Sequence, residues 1–404
     1  MTLLRASFRS KLLLFLIALS VSAQAQLAED NCKFLGNVIS SSIPSDFTRY
    51  WNQVTPENSG KWASVEATRD EMKWDELDIA YNFAKDNGYP FKQHTLVWGQ
   101  QQPAWISALP TDEQKAEVEE WIKAYCERYP DTDYIDVVNE PLHAAPTYEA
   151  ALGGPGATGW DWVIWSFEKA REYCPNAKLI LNDYNILNNN AATQQYLQII
   201  KLLQDRGLID VIGEQGHFLE TTPLQTIRDN LDKFWKTGLP VQISEYDVHI
   251  ASDTEQKSTL EAQFKMFWTH PAVSGITFWG YRQGQIWREN AYLVRSNNTE
   301  RSSMTWLKSY VPTTTVDDFC TITSVGPEES SVFSVYPNPS SGVVRIDVKG
   351  RSRDVVVLDA MGKSVQPVLL GETAESVEIR LAPGIYVVKV RAGMTTDSKK
   401  VIVL

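Results

Sequence analysis

From residue 34 to about residue 310 the chain alternates between two textures. Near-continuous apolar runs fall at 34–38, 50–56, 91–98, 134–140, 179–183, 211–217, 240–247 and 275–280, the signature of strands buried on both faces. Stretches of helical period lie between them. Leu224, Ile227, Leu231, Phe234 and Trp235 recur at three- and four-residue steps, and Gly238 stands where a C-terminal glycine belongs. Tyr196, Ile199, Ile200 and Leu203 do the same before Gly207, as do Trp74, Leu77, Tyr81 and Ala84 before Gly88. Strands alternating with helices in this way predict an α/β fold, a closed parallel (β/α)8 or TIM barrel. A doubly wound open sheet is the competing architecture, but no glycine-rich phosphate turn follows the first strand.

In such a barrel the side chains that do chemistry come from the C-terminal strand ends. The polar and indole side chains that break the apolar runs sit there: Glu57 and Asn58, His94, Asn139 and Glu140, Asn182 and Asp183, Gln215 and His217, Glu245 and Asp247, and Trp279. Glu140 closes Asp136-Val137-Val138-Asn139-Glu140-Pro141, and Glu245 sits in Ile243-Ser244-Glu245-Tyr246-Asp247. Two carboxyl groups at one mouth are what glycoside hydrolysis needs, one to protonate the leaving oxygen and one to stabilise or trap the anomeric carbon. A lone glutamate at a strand end is as readily a helix N-terminal acid favoured by the macrodipole; the pair, in these flanks, points to chemistry.

The ends of the chain read differently. In residues 1–25, Arg5, Arg9 and Lys11 precede an apolar stretch, and Ala23-Gln24-Ala25 offers small residues for cleavage. This predicts a signal peptide, too short in its apolar part to span a membrane comfortably. Residues 313–331, rich in Thr, Ser and acidic side chains, read as a linker after a catalytic barrel at 26–312. From residue 332 short alternating runs (Val344, Ile346, Val348; Val377, Ile379, Leu381; Ile385, Val387) are separated by turn signals, predicting a small all-β sandwich at 332–404. The formal net charge of −12 argues against nucleic acid as a partner. The four cysteines, Cys32, Cys126, Cys174 and Cys320, contain no CxxC pair, so no metal site is expected and three disulfide pairings are open.

The barrel segment resembles glycoside hydrolase family 10, whose members are mainly endo-β-1,4-xylanases. The resemblance is carried by Thr55-Pro56-Glu57-Asn58 with Lys61-Trp62, His94-Thr95-Leu96-Val97-Trp98 with Gln101, Asp136 to Pro141, Leu181-Asn182-Asp183-Tyr184-Asn185, Gln215 with His217, Ile243 to Val248, and Phe278-Trp279-Gly280 through Trp287. It implies a retaining mechanism with Glu140 as acid/base and Glu245 as nucleophile, His217 and Asp247 holding the latter, and no cofactor. It also implies that Asn139 meets the sugar 2-hydroxyl, that Glu57, Asn58, Lys61, His94, Trp98 and Gln101 clamp the non-reducing side, and that Trp279 and Trp287 are sugar platforms. Asn182, Tyr184 and Gln215 complete the expected xylan site; Trp105 and Trp306 are left outside it. Two departures bear on subsite preference. Gly99 follows Trp98 where most members carry His, and 281–286, with Gly284, replaces the usual pattern before the last Trp.

Val335-Tyr336-Pro337-Asn338-Pro339 and the run 384–390 resemble the sorting domain of type IX secretion substrates, which implies recognition at the outer membrane, removal of the tail, and release or surface attachment. Barrel closure brings the segments holding Cys32 and Cys320 together, so these are expected to bond; Cys126 and Cys174, in consecutive outer helices, are the second expected pair. The rival readings are a β-1,4-glucanase or mixed enzyme on the same barrel and a non-catalytic glycan-binding surface protein.

Overall fold

Eight strands, almost wholly buried along their lengths, form the centre of the molecule: β1 (Phe34–Ile39), β2 (Val54–Pro56), β3 (Lys92–Val97), β4 (Tyr134–Asn139), β5 (Lys178–Asp183), β6 (Val211–Glu214), β7 (Val241–Tyr246) and β8 (Val273–Phe278). The computed structural model describes residues 26–403 apart from 30, 41, 315, 317–332, 337–339, 349–352, 360–362, 374–375 and 393–394. All pairings in this sheet are parallel, in the order β2-β1-β8-β7-β6-β5-β4-β3. A parallel bridge between Val54 and Phe91 joins its two edges, so the sheet closes on itself. Helices cover the outside, among them Asp75–Asp86, Thr111–Arg128, Asp161–Tyr173, Asn190–Gln204, Leu224–Trp235 and Asp253–Thr269. Gly88, Gly207 and Gly238 follow three of these with φ of 68°, 67° and 88°, the left-handed conformation that ends helices at glycine.

Several strands are shorter than the sequence predicts, with an identifiable cause. The run 50–56 is strand only from Val54: Phe47–Tyr50 is a helical turn whose Phe47 carbonyl accepts from the Trp51 N–H, and the Asn52 side chain takes the Leu35 N–H at 2.8 Å. β4 stops at Asn139 because Glu140 is left-handed (φ 55°), and β6 at Glu214 because Gly216 turns the chain (φ 84°). At Gly216 a Cβ would lie 2.9 Å from the Ile243 side chain, so glycine is required for space as well as for φ.

Cys126 and Cys174 are bonded to each other, tying Thr111–Arg128 to the residue after Asp161–Tyr173. Cys32 is also disulfide-bonded; its expected partner Cys320 lies outside the described residues, as do the predicted signal peptide and most of the predicted linker. Two four-stranded antiparallel sheets follow. β9 (Phe333–Tyr336), β10 (Val343–Val348), β13 (Val368–Glu372) and β14 (Ser376–Arg380) form one; β11 (Arg353–Asp359), β12 (Ser364–Val365), β15 (Gly384–Ala392) and β16 (Thr395–Val403) form the other. Their shared core takes Val344 and Ile346 from one sheet and Val357 and Val401 from the other. β15 contributes Tyr386, Val388 and Val390 to it, one position out of step with the expected Ile385 and Val387; apolar on both faces, this strand carries no usable alternation. Among the described residues no helix is long and apolar enough to cross a membrane.

Candidate active site

The left-handed turn at Glu140 sets its carboxyl at the barrel mouth. Its N–H donates to the Asn182 carbonyl at 2.7 Å, fixing the end of β4 against β5, and its own carbonyl accepts from His143 and Ala144. Glu245 lies inside β7, its N–H bonded to the Gln215 carbonyl at 2.9 Å. Asn139, Asn182 and Gln215 connect the two side chains. Gln215 Nε2 donates to Glu140 Oε1 at 3.1 Å and to Asn139 Oδ1 at 3.2 Å. Asn182 Nδ2 donates to the same Asn139 oxygen at 2.9 Å and to Glu245 Oε1 at 2.8 Å. Ser244 anchors Asn182 from below, donating to its Oδ1 at 2.6 Å. The two carboxyl groups, 105 positions apart in the chain, thus share one hydrogen-bonded cluster.

Their surroundings differ in sign. Glu140 accepts the indole N–H of Trp98 at 3.0 Å besides Gln215. Burial pushes its pKa up and the charges of Glu245 and Asp183 push the same way; the two neutral donors do not reverse the direction. Burial alone would do the same to Glu245. There, the facing His94 imidazole, the hydrogen bond and charge of His217 and the Lys92 ammonium overturn it and hold the carboxyl at about 2. His217 Nε2 lies 3.3 Å from Glu245 Oε2, and its Nδ1 2.9 Å from Asp247 Oδ2. Burial disfavours the charged ring, yet Asp247 and Glu245 together raise His217 to about 10. Asp247 is held in turn by Trp287 Nε1 at 3.0 Å and the Arg288 guanidinium at 2.5 Å.

Residues 21–310 match the model of glycosyl hydrolase family 10, well over half of the chain. The chain belongs to that family. It is 45% identical over 278 residues to endo-1,4-β-xylanase B of Cellvibrio japonicus, covering 68% of this chain and 45% of that protein. It is 31% identical over 260 residues to a β-1,4-xylanase of Dictyoglomus thermophilum, covering 59% of this chain and 73% of that one. The chain therefore spans less than half the length of the first relative. Xylanase 10B of Thermotoga petrophila, solved in complex with xylobiose, superposes on 70% of this chain and 95% of its own with a TM-score of 0.63 at 26% identity. Residues 334–404 match the model of a secretion-system C-terminal sorting domain.

The other residues expected from the family 10 resemblance gather at the same mouth. Lys61 Nζ donates to Gln101 Oε1 at 2.6 Å and Asn58 Oδ1 at 3.0 Å, and lies 5.0 Å from the Trp98 ring centre. Burial lowers the Lys61 pKa against the opposing pull of Glu245, Glu57 and Glu140. Glu57 accepts from the Ser40 hydroxyl. His94 Nδ1 is 2.9 Å from Asp136 Oδ2, and the His94 ring meets buried Trp279 edge-on at 5.0 Å. Tyr184 stacks on His143 at 4.0 Å, and Trp287, 50% exposed, packs against His217 at 4.8 Å. Trp105 bonds to the Glu66 carbonyl and packs edge-on against Trp62; Trp306 stacks on Tyr310. Neither touches the cluster.

At Gly99 the expected gap beside the clamp is filled by backbone. The Gly99 N–H donates to the Ala144 carbonyl at 2.9 Å, and a Cβ would fall 2.4 Å from the Ala145 oxygen. The loop after β4 occupies the space a larger residue would need. In the eighth loop, Tyr281 and Arg282 both bind Asp46, anchoring the segment that leads to Trp287. Sequence reasoning missed Lys92, His143 and Arg288. Lys92 lies 3.2 Å from Asp136 Oδ2, His143 bonds Asp183 Oδ1 at 2.6 Å, and Arg288 joins Asp247 to Glu220. Arg288 directly follows Trp287 and His143 comes three positions after Glu140; those spacings were the available signals. A cavity of about 650 Å³ opens at the opposite end, lined by Phe34, Tyr134, Lys178 and Pro240 among others, where strands begin.

Proposed function

We propose that the protein is a retaining endo-β-1,4-xylanase. Glu140 protonates the glycosidic oxygen while Glu245 attacks the anomeric carbon; Glu140 then removes a proton from the water that releases the sugar from Glu245. The observation that carries the reading is the opposite electrostatic bias of two carboxyl groups in one hydrogen-bonded cluster, one pushed toward the protonated and one toward the ionised form. His217, charged below about 10, faces Glu245 and keeps it a carboxylate. Asn139 and Gln215 orient the acid and line the sugar at the cleavage point, Asn182 aligns the nucleophile, and Lys61 with Glu57, Asn58, Gln101, His94 and Trp98 grips the chain on the non-reducing side. Xylan or xylo-oligosaccharides are the substrate, consistent with family 10 membership and with relatives named as xylanases. The sorting domain supports export through type IX secretion after removal of a signal peptide at 1–25, giving a secreted or surface-attached enzyme. Sugar release from xylan, from carboxymethyl-cellulose and from an inert glucan control tests the reading. It requires release from xylan that falls by about a hundredfold or more in Glu140→Gln and in Glu245→Gln; rates in the variants equal to the wild type would remove both assignments.

A further inference from the structure

Phe218 differs from the other aromatic side chains at the barrel mouth in its backbone. Past the end of β6, Gly216 and then Phe218 are left-handed, with φ of 84° and 60°. Gln215, just before the first of them, reaches Glu140, and His217, between them, reaches Glu245. At the second left-handed step the Phe218 side chain itself stands on the rim, 42% exposed. A bulky residue at positive φ is strained, and glycine or asparagine would relieve it; strain of this kind at a site points to use of the side chain it displays.

The ring is also held in place. The Arg288 guanidinium lies 4.7 Å from its centre and is itself pinned by Glu220 at 2.8 Å and Asp247 at 2.5 Å. Tyr184 meets the ring edge-on at 5.8 Å and Trp287 at 6.1 Å. Tyr184, Phe218 and Trp287 therefore form a continuous aromatic rim over the ends of β5 and β6 and the loop after β8. The polar clamp of Glu57, Lys61 and Trp98 stands on the β2–β3 side, across the barrel in the strand order. A sugar chain gripped by that clamp and cut at Glu140 runs out over this rim with its leaving part. Pyranose faces lie on flat apolar rings, and a ring already fixed by its neighbours loses little freedom on binding.

We infer that Phe218 is a platform for a xylosyl unit on the leaving-group side of the cleavage point, selecting for longer chains. The inference rests on the xylanase reading. Its test compares kcat/KM of wild type, Phe218→Ala and Phe218→Tyr on xylohexaose and on an aryl β-xylobioside, whose leaving group is too short to reach the rim. The expected result for Phe218→Ala is a fall of about tenfold or more on xylohexaose, carried mainly by KM, a several-fold smaller fall on the aryl xylobioside, and recovery in Phe218→Tyr. Equal falls on both substrates would make Phe218 a support for Gln215 and His217 instead, and no fall on xylohexaose would remove it from the substrate path. Either result overturns the inference while leaving xylan hydrolysis by the wild type intact; a wild type inactive on both substrates would contradict the xylanase reading itself.

Discussion

The tips of β4 and β7 present the same side chain at similar depth, Glu140 at 9% exposure and Glu245 at 4%, yet the fold gives them opposite proton affinities. Around Glu140 the donors are a neutral amide and an indole, and the charges that move its pKa, those of Glu245 and Asp183, are like its own. Around Glu245 stand two imidazoles and an ammonium. Since burial alone raises both, the difference belongs to the partners: His94 with Lys92 behind Asp136, and His217 with Asp247 behind it. The opposite bias that the proposed acid and nucleophile require is thus built one layer away from the carboxyl groups. Buried charge on its own does not create it.

The largest effect that separates the two tips is loss of the nucleophile. Glu245→Gln is expected to lower kcat on xylan by at least about 10⁴-fold, with no rescue by activated substrates. Glu140→Gln is expected to cost about 10²- to 10⁴-fold on xylan and much less on an aryl xylobioside whose leaving group needs no proton; steady-state rates on both substrates make the comparison. The proposed mechanism starts with Glu140 protonated, so kcat/KM is expected to fall as pH rises through the raised Glu140 pKa, and that alkaline limb should vanish in Glu140→Gln. A smaller change is expected from His217→Asn. Without the imidazolium, Glu245 loses part of what opposes burial, so the acid limb moves upward by about 1–3 pH units. The same histidine is linked to stability. With its folded pKa near 10, its contribution is complete below the unfolded value of about 6.5 and is lost as pH rises toward 10; denaturation curves across that range should be flatter in the variant.

The smallest effect concerns a third glutamate, Glu214, whose Oε1 accepts the Gly216 N–H at 3.0 Å. Burial pushes it up to about 8. An acid more protonated when folded than unfolded makes stability fall as pH rises from its unfolded pKa through 8. Glu214→Gln should therefore be near neutral in stability at pH 5 and stabilising at pH 8, by urea unfolding at each pH. Equal effects at both would contradict a dominant role for burial at this position.

The barrel and both candidate carboxylates were legible because strands buried on two faces read as apolar runs and because polar interruptions clustered at their ends. Strand ends were less so: nothing in the residue type announces that Glu140 is left-handed, and Trp51 through Gln53 look like strand until Asn52 and Gln53 spend their side chains on neighbouring backbone. The second layer was hidden for a different reason. Lys92, Asp136 and Arg288 act on residues 41 or more positions away, through contacts that only barrel closure creates. Gly99 read as a missing side chain, whereas the loop that fills its place belongs to β4.

The central claim is that Glu245 forms the covalent bond to the sugar. Incubation with a 2-deoxy-2-fluoro-xylobioside carrying a good leaving group, followed by digestion and mass spectrometry, addresses it directly. A single fluoro-xylobiosyl adduct on Glu245, absent in Glu245→Gln, is the predicted result; an adduct on another residue, or turnover without any adduct and with inverted product, would contradict it.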